Sequence, residues 1–323
     1  PVDLDNDNDL DLVNSGLTSI AINDGLGGFP ITQDIWRGNG TSERIDTLDL
    51  EGDSDVDILF NGGSSGFNFM VWTNDGNAAF SESADIPISN FRIYNFQTGD
   101  LDVDGDTDIL FVGDSATYSS GSRFGTMLND GSGGFTLDQN TFFSGNLSSA
   151  LEISDLDDDG DLDFLASYSP SNYSYQLIRG LNDGAGAFSF DTISSANVGN
   201  DFENIALGDI DGDNDIDVIA ATDESPALVP FLNDGSAVFL EGTNITTLNN
   251  PSDVDLVDLD GDGDLDIATS NYYDGIQVFL NDGAGTFTSD GTIEQRGYFL
   301  SHFDADNDGD FDIITNEYYT ASL

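Results

Sequence analysis

The sequence has no cysteine, no lysine and one histidine, and its six basic residues are all arginine (Arg37, Arg44, Arg92, Arg123, Arg179 and Arg296). Without cysteine there is neither a disulfide framework nor a thiolate metal site. Against those six cations stand 62 acidic residues, for a formal net charge of −56. A surface of that sign repels nucleic acid and anionic membrane. No apolar run approaches the ~18 residues that a membrane helix needs, and no segment shows a helical period of apolar residues or a capping box ahead of one. Catalytic machinery is equally scarce. There is no G-x-S-x-G elbow and no phosphate loop, and no glycosidase pair can be singled out of so many carboxylates. The sole histidine, His302, precedes Asp304 by two residues and reads as structural. The chain is expected to bind, not to catalyse.

What remains is enough for a folded core. The 323 residues are 38% hydrophobic and 11% aromatic, too apolar for a disordered chain. Two motifs recur through them in phase. The first is an acidic nonapeptide: DLDNDNDLD (3–11), DLEGDSDVD (49–57), DLDVDGDTD (100–108), DLDDDGDLD (155–163), DIDGDNDID (209–217), DLDGDGDLD (258–266) and DADNDGDFD (304–312). The second is NDG followed by small residues and Phe, at 23–29, 74–80, 129–135, 182–188, 233–239 and 281–287. Asp-Gly between apolar runs is a hairpin signal, because both residues accept the positive φ of a tight turn.

The stretches between are short runs of Val, Ile, Leu and Phe. In the fifth repeat NIALGDI enters the acidic loop, IDVIAA leaves it, ALVPFL approaches the NDG turn and AVFLEG leaves that. These four strands, A to D, repeated at 46–55 residues, describe a β-propeller blade. The expectation is an all-β, seven-bladed propeller spanning 1–323 as one domain, with four-stranded antiparallel blades. Its last blade is expected to stop after strand B, and the chain to be part of a longer protein.

Each acidic loop is numbered here from its first aspartate. Positions 1, 3, 5, 7 and 9 are Asp3, Asp5, Asp7, Asp9 and Asp11 in the first loop, and Asp49, Glu51, Asp53, Asp55 and Asp57 in the second. They are Asp100, Asp102, Asp104, Asp106 and Asp108 in the third, and Asp155, Asp157, Asp159, Asp161 and Asp163 in the fourth. The fifth has Asp209, Asp211, Asp213, Asp215 and Asp217, and the sixth Asp258, Asp260, Asp262, Asp264 and Asp266. The seventh has Asp304, Asp306, Asp308, Asp310 and Asp312. Carboxylates on alternate residues around a tight turn suit a hard cation with six to eight oxygen ligands, hence calcium, one per loop and up to seven. Magnesium demands stricter octahedral geometry, and zinc would want His or Cys. Position 12 carries no Glu and strands flank the loop, so this is not an EF-hand. Position 7 is expected to offer its backbone carbonyl and leave its side chain in solvent. Position 6 wants a residue tolerant of left-handed backbone. Ser54 suits it least and, with Glu51, marks the second loop as the weakest site.

DLDGDGDLDI followed by VFLNDGAGTF resembles the FG-GAP/VCBS repeat, also found in the β-propeller of integrin α subunits. The resemblance implies calcium in the A–B hairpins on one face, held by the side chains of positions 1, 3, 5 and 9 and the carbonyl of position 7. It also implies a secreted or surface-displayed protein. The opposite face, made by B–C and D–A loops, is where a propeller would bind a partner. Trp36, Tyr118, Tyr173, Tyr175, Tyr272 and Tyr273, with Phe67, Phe69 and Tyr168, are the aromatic candidates there. The expected role is an adhesion or surface-assembly module that binds a glycan or an extracellular protein. A lectin proper and a non-catalytic accessory domain of a polysaccharide-acting enzyme are the alternatives.

Overall fold

The computed structural model describes all residues except 15–18, 36–43, 63–67, 84, 89–90, 116–120, 172–173, 194–201, 223–226, 272–274, 296, 298, 307, 318–319 and 323. Among the described residues there is no helix, and every sheet is antiparallel. This is the all-β propeller architecture expected from the repeats.

The chain forms two compact units. The first comprises Pro1–Leu147, Asn182–Ala187 and Asp304–Asp308; the second comprises Ser148–Leu181, Phe188–Phe303 and Gly309–Leu323. In the fifth repeat strands A to D are Phe202–Gly208, Asp217–Thr222, Ala227–Asn233 and Phe239–Glu241, paired in that order. A fifth strand, Ile245–Thr246, pairs with the start of Ala227–Asn233, at Ala227 and Leu228. Repeats two, three, four and six build the same A-B-C-D order. The first sheet has only strands B, C and D (Leu12–Asn14, Ser19–Ala21 and Ile31–Asp34).

The propeller has six blades, not the seven expected, and six sheets carry both an acidic loop and an NDG turn. The seventh loop belongs to a three-stranded sheet, Leu300–Phe303, Asp312–Glu317 and Thr320–Ser322. That sheet goes one strand further than expected, because Thr320–Ser322 folds back onto strand B and occupies the place of C.

Burial follows position in the blade. Strands Asp217–Thr222 and Asp266–Asn271 are buried at every residue, whereas Thr288–Ile293, a D strand, is exposed at every residue. A B strand has neighbours on both edges and both faces, which is why it reads as a continuous apolar run and not an alternating one. In the first unit one core joins the second and third sheets through Phe69, Phe91, Phe96 and Phe111. Their rings meet edge to face, with centroids 5.0 Å apart for Phe69–Phe96 and 5.1 Å for Phe91–Phe111. Phe69, an expected exposed aromatic, is fully buried in this cluster. In the second unit Leu165, Phe202, Val218 and Phe231 form one core, and Ile219, Leu228, Ile267 and Phe279 another.

Phe111 touches two other phenylalanines and lies against Gly125, where any Cβ would collide with its ring. Phe111→Ala is expected to cost about 3–5 kcal/mol, read as the loss in unfolding free energy in urea at fixed calcium.

Candidate metal centres

Each acidic loop is organised by its own backbone. The position-1 carboxylate accepts the N–H groups of positions 5 and 6: Asp100 takes Asp104 at 3.1 Å and Gly105 at 3.0 Å, and Asp209 takes Asp213 at 3.2 Å and Asn214 at 2.9 Å. Position 5 in turn accepts the N–H of position 7, as from Asp106 to Asp104 at 2.9 Å. These bonds wind the loop.

Position 6 is left-handed as expected, from Gly105 (φ 96°) to Asn8 (74°), and Ser54 takes the same conformation (73°). Position 4 is left-handed too, which the sequence reading missed. Asn6, Gly52, Asp158, Gly212 and Gly261 have φ of 60–81°, and even the β-branched Val103 is held at 59°. Such a backbone is unfavourable for Val and survives only where its surroundings impose it.

Position 9 is the most buried acid and the most fully engaged. One oxygen accepts the N–H of position 2: Leu4 to Asp11 at 2.8 Å, Leu101 to Asp108 at 2.8 Å, Leu259 to Asp266 at 2.9 Å. The other accepts the N–H of the NDG asparagine: Asn23 at 2.7 Å, Asn74 at 2.8 Å, Asn129 at 2.7 Å, Asn233 at 2.7 Å and Asn281 at 2.8 Å. Position 9 therefore has a structural task that its reading as a plain ligand did not include. It pins the acidic loop to the NDG turn.

Position 3 is different. Asp5, Asp102, Asp157 and Asp211 each carry a buried Oδ1 that receives no hydrogen bond. A buried carboxylate oxygen without a donor is costly, and here it recurs at the same position of four loops. In those loops positions 1, 3 and 9 bring one ligand oxygen each to within 4.8 Å of the others: Asp3, Asp5 and Asp11; Asp100, Asp102 and Asp108; Asp155, Asp157 and Asp163; Asp209, Asp211 and Asp217. In the sixth loop Asp258, Asp260 and Asp262 do so. The donor set is all oxygen and anionic, half-buried at the rim and buried at position 9. It fits a hard divalent cation.

Position 7 departs from expectation. Its side chain is not turned to solvent but lies against the glycine of its own NDG turn. A Cβ on Gly25, Gly76, Gly131 or Gly235 would come within 2.5–2.8 Å of Asp9, Asp55, Asp106 or Asp215. The NDG glycine is thus required twice, for its positive φ and for the carboxylate over it. The turn is also longer than a two-residue hairpin. Asp24 caps it internally, accepting Leu26 at 3.0 Å and Gly28 at 2.9 Å. In the seventh loop Asp312 is exposed, unlike the buried position 9 of the other six loops.

The loops hold their charges at a cost. Desolvation first, then the neighbouring charge at position 5, raises the carboxyls of Asp5, Asp102, Asp157 and Asp211. Burial pushes Asp108, Asp161 and Asp217 up to about 6. Desolvation and a hydrogen bond shared with Asp57 push Glu51 up to about 7.

Of the expected ligand-face aromatics, Trp36, Tyr118, Tyr173, Tyr272 and Tyr273 lie outside the described residues, as does Phe67. Tyr175 and Tyr168 are half-buried in their strands. His302 does have a partner, which the sequence could not reveal: its Nδ1 lies 2.7 Å from Asp255 of the neighbouring sheet, with Phe311 edge-on to the ring.

A model of the FG-GAP-like repeat matches residues 49–111, 155–220, 209–269 and 258–315. The chain belongs to the FG-GAP-like repeat family. No curated protein sequence matches it. Among solved structures, this FG-GAP-like chain is similar to a lectin of Agrocybe aegerita described for specific recognition of non-reducing terminal N-acetylglucosamine. The TM-score is 0.67 at 19% identity over 94% of this chain and 83% of that one. It is also similar to BBS1N, solved in complex with ARL6DN (TM-score 0.66, 9% identity, 99% and 89% covered), and to Sqt1 of Saccharomyces cerevisiae (0.59, 11%, 95% and 78%). At these identities the likeness is one of fold.

The raised carboxyls fix the sign of a pH effect. Groups whose folded pKa lies above the unfolded value take up protons on folding, so stability falls as pH rises through that interval. With folded values of about 6 to 7 and ordinary values near ~4, the metal-free chain is expected to melt higher at pH 5.5 than at pH 7.5. Saturating calcium should shrink or reverse the difference, since protons then compete with the ion. Thermal melts in chelator and in calcium at both pH values read this directly.

Proposed function

We propose that this FG-GAP-like propeller is a calcium-loaded, extracellular binding module that serves adhesion or surface assembly by contacting a glycan, and that it is not an enzyme. The observation that carries the metal part is the unpartnered, buried Oδ1 at position 3 of four loops, each beside two further carboxylates. Positions 1, 3 and 9 would hold the ion, with position 5 at the rim. Calcium is the best match to an all-oxygen set on a wound loop. Bound there, it supplies positive charge to carboxylates that otherwise repel. Seven such ions would bring a net charge of −56 to −42. Sites of this kind fill at the calcium levels found outside cells, where modules bind with dissociation constants up to ~10⁻³ M.

The glycan part rests on a cavity of about 600 Å³ in the second unit, between the outer strands of the fifth and sixth sheets. In a chain where about one residue in five is acidic, none of its lining residues is charged. Thr243, Asn244, Thr246, Thr286 and Ser289 present hydroxyl and amide groups around Phe287. Uncharged hydrogen-bonding groups beside an aromatic ring suit a neutral, hydroxylated ligand. A lectin proper is the second reading, favoured by the same cavity.

Two measurements test the proposal. Asp102→Asn removes the oxygen that the fold does not use, so in chelator it is expected to melt no lower than the parent, while the rise in Tm on adding calcium becomes smaller. Asp108→Asn removes an acceptor of two backbone N–H groups and should cost about 1–3 kcal/mol with or without calcium. Equal calcium responses in parent and Asp102→Asn would remove the metal assignment. For the ligand, a glycan array probed with parent and Phe287→Ala is expected to show neutral sugars bound by the parent and lost in the variant. Binding that survives Phe287→Ala would place the site elsewhere.

A further inference from the structure

The NDG asparagine joins each acidic loop to the loop of the preceding repeat. Its Nδ2 donates to two carbonyls. One is position 8 of its own loop: Leu10 for Asn23 (3.1 Å), Val56 for Asn74 (3.1 Å), Thr107 for Asn129 (3.2 Å), Ile216 for Asn233 (3.1 Å) and Leu265 for Asn281 (3.0 Å). The other is position 2 of the preceding loop: Leu4 for Asn74 (2.8 Å), Leu50 for Asn129 (3.2 Å), Leu101 for Asn182 (2.7 Å), Leu156 for Asn233 (2.8 Å) and Ile210 for Asn281 (2.9 Å). Asn23 donates in the same way to Ala305, position 2 of the seventh loop, at 3.1 Å. Two carbonyls face the amide of Asn23, Asn74, Asn129, Asn233 and Asn281, so it is the NH₂ end that lies between them.

Position 2 sits between the ligand carboxylates of positions 1 and 3, and the same asparagine's backbone N–H is held by the position-9 carboxylate of its own loop. A line of three hydrogen-bonded groups therefore runs from one cluster of ligands to the next: position-2 carbonyl, asparagine side chain and backbone, position-9 carboxylate. The contact is buried, and buried amide–carbonyl bonds resist rearrangement because an unmade one is costly. Beside it the backbones also touch. Cβ atoms placed on Gly52 and Gly212, at position 4, would lie 3.4 and 3.0 Å from the carbonyls of Gly131 and Gly283 in the next repeat's turn.

We infer that the NDG asparagines are positioning residues that couple adjacent metal loops, so that occupancy of one loop raises the affinity of its neighbour. The inference rests on the calcium reading above. Ordering positions 1 to 3 of one loop fixes the carbonyl that the next asparagine needs, and that asparagine fixes positions 8 and 9 of its own loop. The coupling is reciprocal, as any linkage between binding equilibria must be.

The test is a double-mutant cycle on the full chain, with the fifth and sixth loops as the pair. Calcium is titrated while hydrogen exchange is followed separately in peptides covering 209–217 and 258–266. In the parent, Asp260→Asn, which weakens the sixth loop, is expected to shift the calcium midpoint of the fifth loop by about threefold to tenfold, as for groups in one bonded network. In an Asn281→Ala background the same change should leave the fifth loop's midpoint nearly where it was. An equal shift in both backgrounds would overturn the coupling role and leave the metal sites standing. Absence of calcium-dependent protection in either loop of the parent would instead remove the calcium reading on which the inference rests. Asn74→Ala with the first and second loops repeats the cycle independently. Failure of both asparagine variants to fold in saturating calcium would also count against the inference, since it would make them general core residues, not couplers.

Discussion

The structure depends on a carboxylate that is not free to move. At position 9 of the acidic loops an aspartate is buried with its oxygens on two backbone N–H groups, one from the start of its own loop and one from the NDG turn. A buried carboxylate is tolerable only with such partners, and once it has them it fixes the distance between two hairpins that are 12–21 residues apart in the chain. The rest of each acidic loop follows from that anchor. The loop winds between position 9 and a capped position 1, the NDG asparagine hangs from the same carboxylate, and its side chain reaches the neighbouring repeat.

The concentration of charge then has a physical reading. Five acids in nine residues would repel one another in an open loop, and burial makes it worse by raising the carboxyls above their ordinary values. The fold offsets part of this with backbone N–H donors at positions 1, 5 and 9. At position 3 of four loops it leaves one buried oxygen, Oδ1, without a donor. A protein that had only to avoid repulsion would place a neutral residue there. Instead an acid is present in every loop, Glu51 being the single variation in type. In four loops that unpartnered oxygen stands beside two further carboxylates, an all-oxygen cluster that could hold a metal ion.

Much of this was legible in the sequence because repetition amplifies weak signals. A single DxDxDG is an ordinary acidic turn, but seven in phase with six NDG turns specify the blade, its strand order and the left-handed position 6. What escaped the reading depends on contacts beyond the local sequence, some within a repeat and some between repeats. Val103 gives no local hint of a positive φ, because the turn imposes it. The aspartate at position 7 looks like a solvent-facing charge until the glycine of the NDG turn is seen beneath it. His302 has no partner in its local sequence, and Asp255 of the adjacent sheet lies within hydrogen-bonding reach of it. The two motifs could be counted in the sequence. That asparagine links them across repeats could not, since the partners Asn74 and Leu4, or Asn281 and Ile210, are some 70 residues apart.

That separation explains why the NDG triplet is uniform where other turns in the chain vary. A hairpin needs only an Asp-Gly pair to reverse direction, so nothing local requires the asparagine before it. Each of its three polar functions, by contrast, has a fixed geometric demand. The backbone N–H must reach position 9, the amide must donate to two carbonyls, and in the first three turns its oxygen accepts from the glycine of the turn, as in Asn23 to Gly25 at 3.0 Å and Asn129 to Gly131 at 3.2 Å. Aspartate would turn both donated bonds into repulsions, and glutamine would carry the amide one bond too far. The residue that closes the turn is therefore specified by the loop of another repeat, and the regularity of the motif along the chain is the imprint of contacts between repeats.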